Sequence, residues 1–251
     1  MKRKLIAVLA CRNGGKRLYA KPFQNLDKKK KVNIISYIIK RLKSLKDLKK
    51  IVLAISAKKE NLEFVNIAKK NSISYVLGDD HDVLSRLIKA STKNNATDIL
   101  RITSESPFPY LENFANYWSK HVENNYDATF LDNIIDGCGF EIIKTSALKI
   151  SHRKGKKKHR SEFCSLYIRE NNKKFRINRI FPKKMYFRKD IRLTVDNPED
   201  LIVCQAVYNH FKNKKIVLKR IINFIDKRPY LKSLIKPYCA NGYNSMYNWI
   251  K

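Results

Sequence analysis

Leu5-Ile6-Ala7-Val8-Leu9-Ala10, followed almost at once by Asn13-Gly14-Gly15, is the stretch from which the fold is read. A continuous apolar run with β-branched members that ends in a glycine turn reads as a strand buried on both faces, as in parallel sheets. The unit then repeats. From Asn33 onward, Ile34, Ile35, Ile38, Ile39 and Leu42 recur at helical spacing, and Lys50–Ser56 is again a short apolar strand. Glu60–Lys70 reads as helix and Ile73–Leu77 as strand; a helix starts near Asp82, using Val83, Leu84, Leu87 and Ile88. Asp98–Thr103 is the next strand, Leu111–Val122 a helix and Ala128–Leu131 a short strand. This alternation predicts an α/β fold: a Rossmann-like, mostly parallel open sheet with helices on both faces. Its ligand site belongs at the carboxyl ends of the strands.

Beyond Asp132 the order loosens. The basic stretch His152–Arg160 reads as an exposed loop, Ser161–Arg169 as a helix, Phe175–Ile180 and Ile191–Val195 as strands, and Pro198–Phe211 as a helix. Residues 1–211 are expected to form the main domain, within which about 133–190 make a smaller α/β part. Residues 212–251 should add helices packed on it. His121, His152 and His210 show no partner spacing and read as surface residues, whereas Trp118 and Trp249 sit at helical apolar positions and read as core.

Composition narrows the function. With 43% hydrophobic and 30% charged residues in 251, the chain is globular. No apolar run is long enough to span a membrane, and Leu5–Ala10 is too short for a signal-peptide core. Five scattered cysteines without a C-x-x-C pair read as reduced thiols, so the expected compartment is the cytoplasm. The net charge is +32, and residues 151–190 alone hold 15 Lys/Arg against three Asp/Glu. A basic surface attracts any polyanion, so charge alone does not select nucleic acid, which is not the expected partner.

The loop after the first strand reads Cys11-Arg12-Asn13-Gly14-Gly15-Lys16-Arg17-Leu18-Tyr19-Ala20-Lys21-Pro22. Adjacent glycines let backbone amides approach an anion, and Arg12, Lys16, Arg17 and Lys21 can neutralise phosphate oxygens. It is neither a Walker A loop nor G-x-G-x-x-G. A solvated basic turn is the rival reading. Asp79-Asp80-His81-Asp82 could suggest a metal site or a glycosyltransferase D-x-D, but Asp80 or Asp82 also suits the cap of the following helix. Asp196-Asn197-Pro198-Glu199 has the same ambiguity, reading equally as a helix start with Pro in its first turn.

The loop's R-x-G-[SG]-x-R-L-x-x-K pattern resembles the signature of the cytidylyltransferases that activate acylneuraminate and ketodeoxyoctonate, especially the branch of the spore-coat polysaccharide F type. Later segments resemble the same branch in the same order. They are Gly78-Asp79-Asp80-His81-Asp82-Val83-Leu84-Ser85-Arg86, Arg101-Ile102-Thr103-Ser104-Glu105-Ser106-Pro107, Asp136-Gly137 with Glu141, His159-Arg160-Ser161-Glu162, and Arg192-Leu193-Thr194-Val195-Asp196-Asn197-Pro198-Glu199-Asp200. Together they cover about residues 4–210. Three positions depart from the pattern: Ser104-Glu105 replaces Gly-Asp, Tyr19-Ala20 replaces Pro-Gly before Lys21, and Phe163 replaces the His of R-E-H.

The resemblance implies a fold of the nucleotide-diphospho-sugar transferase type. It also implies transfer of CMP from CTP to a small anionic or sugar-like acceptor, with loss of pyrophosphate, for surface polysaccharide or glycan assembly. Arg12, Arg17 and Lys21 would be catalytic, with Lys21 stabilising charge at the α-phosphate. Arg12, Asn13, Gly14, Gly15, Lys16, Arg17, Lys21, Gly78, Asp82, Arg86 and Arg101 would bind the nucleotide. Glu141, Arg160 and Glu162 would bind the acceptor, while Glu105 and Asp196 would hold Mg²⁺ or Mn²⁺. A homodimer is expected, exchanging surface through about residues 135–190. The rival functions are a non-catalytic polyanion- or nucleic-acid-binding protein on the same fold and a glycosyltransferase using a nucleotide sugar.

Overall fold

The computed structural model describes residues 3–239 except Lys16, Asn213 and Lys215; Lys16 and Trp249 thus lie outside the described residues. A seven-stranded sheet forms the centre, in the order β5-β4-β1-β6-β8-β7-β9. Its strands are β1 (Leu5–Cys11), β4 (Lys50–Ser56), β5 (Ser74–Gly78), β6 (Asp98–Thr103), β7 (Ala128–Leu131), β8 (Glu141–Lys144) and β9 (Ile177–Ile180). A small antiparallel pair, β2 (Asn25–Asp27) and β3 (Val32–Asn33), stands apart from it. The pairs β1–β4, β1–β6, β4–β5 and β7–β9 are parallel; only β8 runs antiparallel, to both β6 and β7.

Alternate side chains of β1 explain why its sequence is apolar throughout. Leu5, Ala7, Leu9 and Cys11 enter one core, and Ile6 and Val8 the other. The first core is closed by α1 (Ile34–Lys43), α2 (Glu63–Lys70), α8 (Pro198–Phe211), α9 (Leu218–Asp226) and α10 (Pro229–Cys239). The second is closed by α3 (Val83–Lys93), α5 (Thr145–Lys154) and α7 (Leu166–Glu170). Ile221, Ile222 and Ile225 of α9 and Leu231 and Ile235 of α10 are buried in the first core, so these helices share the domain's interior. α4 (Phe114–Glu123) lies before β7, and α6 (Lys157–Arg160) follows α5. Among the described residues no helix is long and apolar enough to cross a membrane.

The chain lays β4 and β5 on one side of β1 and then returns to place β6 on the other. The sense of winding therefore reverses between β1 and β6, and in open α/β sheets the loops after the two strands at such a reversal are where a ligand binds.

Several expectations need correction. His152–Arg160 is helical rather than a loop: α5 runs through Lys154 and α6 follows, because Ala147, Leu148 and Ser151 face the interior while the cations face water. His159 is buried, accepting from the Lys156 N–H at 2.7 Å and pairing with Glu170 at 2.6 Å. Ile191–Val195 is extended but joins no sheet, since its backbone serves two loops instead of a ladder. The Leu193 N–H donates to Asp136 O and the Val195 N–H to Glu105 O. His121 is buried, between Asp98 at 3.2 Å and Thr129 at 2.8 Å, with Arg3 also on Asp98. Strand β8 has no sequence signal of its own, because only Ile142 and Ile143 are apolar and the four residues show no alternation.

Gly137 shows how tightly the extended segment is held. Its φ is +86°, and an added Cβ would lie 2.3 Å from the Thr194 nitrogen. Gly137→Ala should therefore cost about 2–4 kcal/mol, combining left-handed strain with a backbone clash. A urea midpoint unchanged from the wild type would contradict this packing.

Candidate active site

The β1 loop is shaped before any charge is considered. The Asn13 N–H donates to Asn61 Oδ1 at 2.7 Å and its side-chain amide to Glu60 O at 2.5 Å, fixing the loop to the turn Lys59–Asn61. The Ala20 N–H closes the loop on Asn13 O at 3.2 Å. Gly15 is required by contact, as a Cβ would meet Leu18 O at 2.5 Å and Lys21 Cε at 3.2 Å. Gly14 is exposed and meets no such wall. Ala20 takes a left-handed conformation, φ 50° and ψ 43°, at the position where the resemblance expects glycine.

This loop delivers Lys21 to Asp196. The Lys21 Nζ lies 2.5 Å from Asp196 Oδ1, and Arg17 is 3.6 Å from the same oxygen. Arg192, buried and not assigned a role from sequence, donates to Asp196 Oδ2 at 2.6 Å. Arg192 also reaches Asp200 at 2.8 Å, Asp136 at 3.0 Å and the carbonyl of Tyr238 in α10 at 3.3 Å. Asp200 in turn accepts the N–H groups of Asp196 and Asn197, which caps α8 and fixes the backbone of Asp196. Asp196 is therefore not the side chain that caps α8.

Glu105 arrives from the end of β6. Because its carbonyl accepts the Val195 N–H at 3.1 Å, residues 90 apart in sequence become neighbours. Burial pushes the Glu105 carboxyl above its ordinary range; Lys21 opposes the rise and the Asp196 charge adds to it. Burial would raise Asp196 too, but Lys21, Arg192 and Arg17 outweigh it and hold that carboxyl below the usual range. The site thus pairs two carboxylates with Lys21 between their fields. Among the described residues no cluster of three or more His, Cys, Asp or Glu could hold a metal. Two carboxylates do suit Mg²⁺, which takes hard oxygen ligands and commonly draws the remainder from phosphates and water.

Other expected site residues lie deeper or on the rim. Arg86 is buried and donates to Cys11 O at 3.1 Å and Ala54 O at 3.3 Å, joining the ends of β1 and β4 beneath the loop. Gly78 leaves room for it, since a Cβ would lie 2.8 Å from Arg86 Cγ. Asp82 caps α3 on Ser85 N and pairs with His152, while Asp80 holds Ser56 and Lys58. Asp79 accepts the His81 and Asp82 N–H groups, so the acidic run builds a turn and a cap.

Arg101 bonds Glu141 at 2.8 Å and Glu162 O at 2.8 Å. Glu141 is buried, with Arg169 at 3.1 Å and Ser165 at 2.6 Å, and burial's upward push on its carboxyl is outweighed by Arg101 and Arg169. Arg169 and Arg179 share Asp132, which continues the row of charges across the strand ends. Arg160 donates to His152 O at 3.1 Å. Glu162 is exposed and lies 3.3 Å from Arg12. Arg192, Asp200, Asp132 and Arg169 are the residues that sequence reading missed; Arg192 and Asp200 bracketed a recognised motif but had no assigned part.

Comparison with known proteins agrees over most of the chain. A sequence profile described as cytidylyltransferase matches residues 6–233. An uncharacterised protein of Methanocaldococcus jannaschii is 30% identical over 92% of this chain and 94% of its own length. The spore coat polysaccharide biosynthesis protein SpsF of Bacillus subtilis is 22% identical over 90% of this chain and 95% of its own. Among solved structures, a cytidylyltransferase from Leptospira borgpetersenii superposes with a TM-score of 0.84 at 22% identity, covering 92% and 97% of the two chains. A CMP:2-keto-3-deoxy-manno-octonic acid synthetase complexed with CTP gives 0.61 at 11% identity, covering 82% and 99%. At these identities the two structures establish the fold.

Two measurements test the local physics. A left-handed alanine costs about 1–2 kcal/mol, and glycine's extra unfolded-state entropy returns part of that. Ala20→Gly should therefore stabilise by roughly 0.5–1 kcal/mol, visible as a higher melting temperature. Glu141→Gln, which leaves Arg101 and Arg169 with less compensation, should cost about 3 kcal/mol at neutral pH. Because the folded carboxyl lies below its unfolded value, the wild type should lose this contribution as pH falls below about 4, and the variant should show a flatter acid limb in urea titrations.

Proposed function

Because the chain belongs to the cytidylyltransferase family of CTP-using nucleotidyltransferases, we propose that this crevice transfers CMP from CTP to a small anionic or sugar-like acceptor, releasing pyrophosphate. The observation that carries the reading is the meeting of Lys21 and Arg17 with Asp196 and Glu105 at the reversal between β1 and β6. An acceptor oxygen attacks the α-phosphorus, the bond to the bridging oxygen breaks, and pyrophosphate carries away the electron pair. Such transfer needs positioning and charge neutralisation more than covalent help.

Each residue then has a task. The backbone amides of Gly14 and Gly15, with Arg12 and Arg17, receive the triphosphate. Lys21 exchanges its bond to Asp196 for the α-phosphate oxygens, where negative charge grows. Arg192 keeps Asp196 ionised and in place while that exchange occurs. Glu105 and Asp196 would hold Mg²⁺ or Mn²⁺, which when bound supplies charge neutralisation at the phosphate oxygens. Lys16 belongs to the same loop but lies outside the described residues.

The rim supplies the acceptor side. Glu162 borders the nucleotide loop through Arg12, Arg160 is held to His152, which pairs with Asp82, and the basic part of residues 133–190 suits an acidic or phosphorylated acceptor. Kinship with SpsF supports a place in surface polysaccharide or glycan assembly. The same segment is proposed as the exchange surface of a homodimer. Five free cysteines, four of them buried, fit the reducing cytoplasm.

Pyrophosphate release with CTP, Mg²⁺ and a panel of acidic sugars and sugar phosphates is the direct test, since a glycosyltransferase would release a nucleoside diphosphate instead. Lys21→Ala should lower kcat/KM by about 30- to 1,000-fold, corresponding to roughly 2–4 kcal/mol of transition-state stabilisation. Asp196→Asn should abolish metal-dependent turnover while CTP still raises the melting temperature. Unchanged turnover in Lys21→Ala would overturn the assignment.

A further inference from the structure

Among the described residues, seven large apolar side chains are exposed, and three of them fall within one short segment: Phe181 (59% exposed), Met185 (39%) and Phe187 (39%). They sit on and beside the turn Lys184–Tyr186, directly after edge strand β9. Burial alternates along the turn. Tyr186 packs inward on Tyr110 at 5.3 Å, and its carbonyl accepts the Ile135 N–H at 3.0 Å. Arg188 is tied to Asp190 and Asp226, both at 2.7 Å. Met185, Phe187 and Lys189 are left outward on a fixed base.

The cations complete the pattern. Lys183 and Lys184 are exposed and carry no ion pair among the described residues. The Lys189 Nζ lies 5.5 Å from the Phe187 ring centroid, and the Arg179 guanidinium 5.6 Å from that of Phe181. Apolar tips surrounded by unpaired lysines match the boundary of an anionic bilayer, where aromatic and thioether groups enter the acyl edge and ammonium groups meet lipid phosphates. A second copy opposing this same turn is the poorer occupant. It would set Lys183, Lys184 and Lys189 against their own equivalents, in a chain of net charge +32. A homodimer formed through residues 133–190 would therefore use other faces of that segment.

We propose that the Phe181–Lys189 turn is a peripheral docking site for an anionic membrane surface. The Asp136 loop that grips Arg192 follows Ile135, which bonds the inner side of this turn, so docking would hold the catalytic crevice near the lipid.

Flotation of the full chain with vesicles tests it, comparing pure phosphatidylcholine with vesicles in which about one-third is replaced by phosphatidylglycerol. Binding is expected only to the anionic vesicles. Lys183→Gln with Lys184→Gln should weaken it on the order of 30-fold, the product of roughly fivefold per lysine near a charged surface. Phe181→Ser with Phe187→Ser should weaken it more than tenfold and remove whatever binding survives high salt, with the melting temperature unchanged. Neutralising Lys156, Lys157 and Lys158, a basic segment without exposed apolar neighbours, should change it less than about threefold. In Phe187→Trp, emission should shift to the blue on adding anionic vesicles.

Absence of wild-type binding would overturn the proposal, as would equal binding by the Phe→Ser pair. So would loss of a dimer, or of binding to a single-stranded oligonucleotide, in the Phe→Ser pair while vesicle binding persists. None of these readouts depends on turnover, so the docking and catalytic readings can fail separately.

Discussion

Arg192 is the side chain on which the site's construction depends. A buried guanidinium costs several kcal/mol to desolvate and is tolerated only when compensated. Here three carboxylates compensate it: Asp136 from the loop after β7, Asp196 from the extended segment and Asp200 from the first turn of α8. A bond to the Tyr238 carbonyl adds α10. Three pieces of chain distant in sequence, around residues 136, 192–200 and 238, are thereby held around one planar cation, whose fork of donors can serve them at once. Asp196 transmits that order outward, since its second oxygen positions Lys21 and through it the end of the β1 loop.

The rest of the strand-end charge follows the same logic on a larger scale. Arg101, Glu141, Arg169, Asp132 and Arg179 alternate in sign across β6, β8, β7 and β9. Buried members satisfy one another, so the carboxyl edge of the sheet can be densely charged without isolated ions. Arg12 and Arg17, by contrast, remain substantially exposed at the crevice, each touching one carboxylate at 3.3 Å or more. That division separates cations that build the wall from those able to meet a polyphosphate.

Departures from the family's pattern have local physical consequences. Ala20 keeps the left-handed bend that glycine would adopt without strain, and the bend survives because the Ala20 N–H is tied to Asn13 O. Glu105 adds a methylene to the expected carboxylate, yet its backbone stays joined to Val195, so the loop's path is kept while the carboxyl reaches further. Phe163 has no comparable geometric account.

The sequence alone determined the layered sheet, because Leu5–Cys11 and Lys50–Ser56 are apolar on both faces, which only a strand covered on both sides accepts, and Asp98–Thr103 repeats the same strand-helix alternation. It also set out a first loop whose glycines and cations lie within ten residues, and the order of the family's motifs. Local pattern could not show β8, whose four residues are a strand only through pairing with β6 and β7. Nor could it tell that Arg86 and Glu141 would be buried, since a charged residue reads the same in sequence whether it faces water or a partner from another strand. Whether Asp196 capped a helix or entered the site was equally open. Tertiary structure gave the capping box of α8 to Asn197 and Asp200, leaving the Asp196 carboxylate to Lys21 and Arg192, and gave the backbone partner of Glu105 to Val195, a bond between segments that no spacing rule connects.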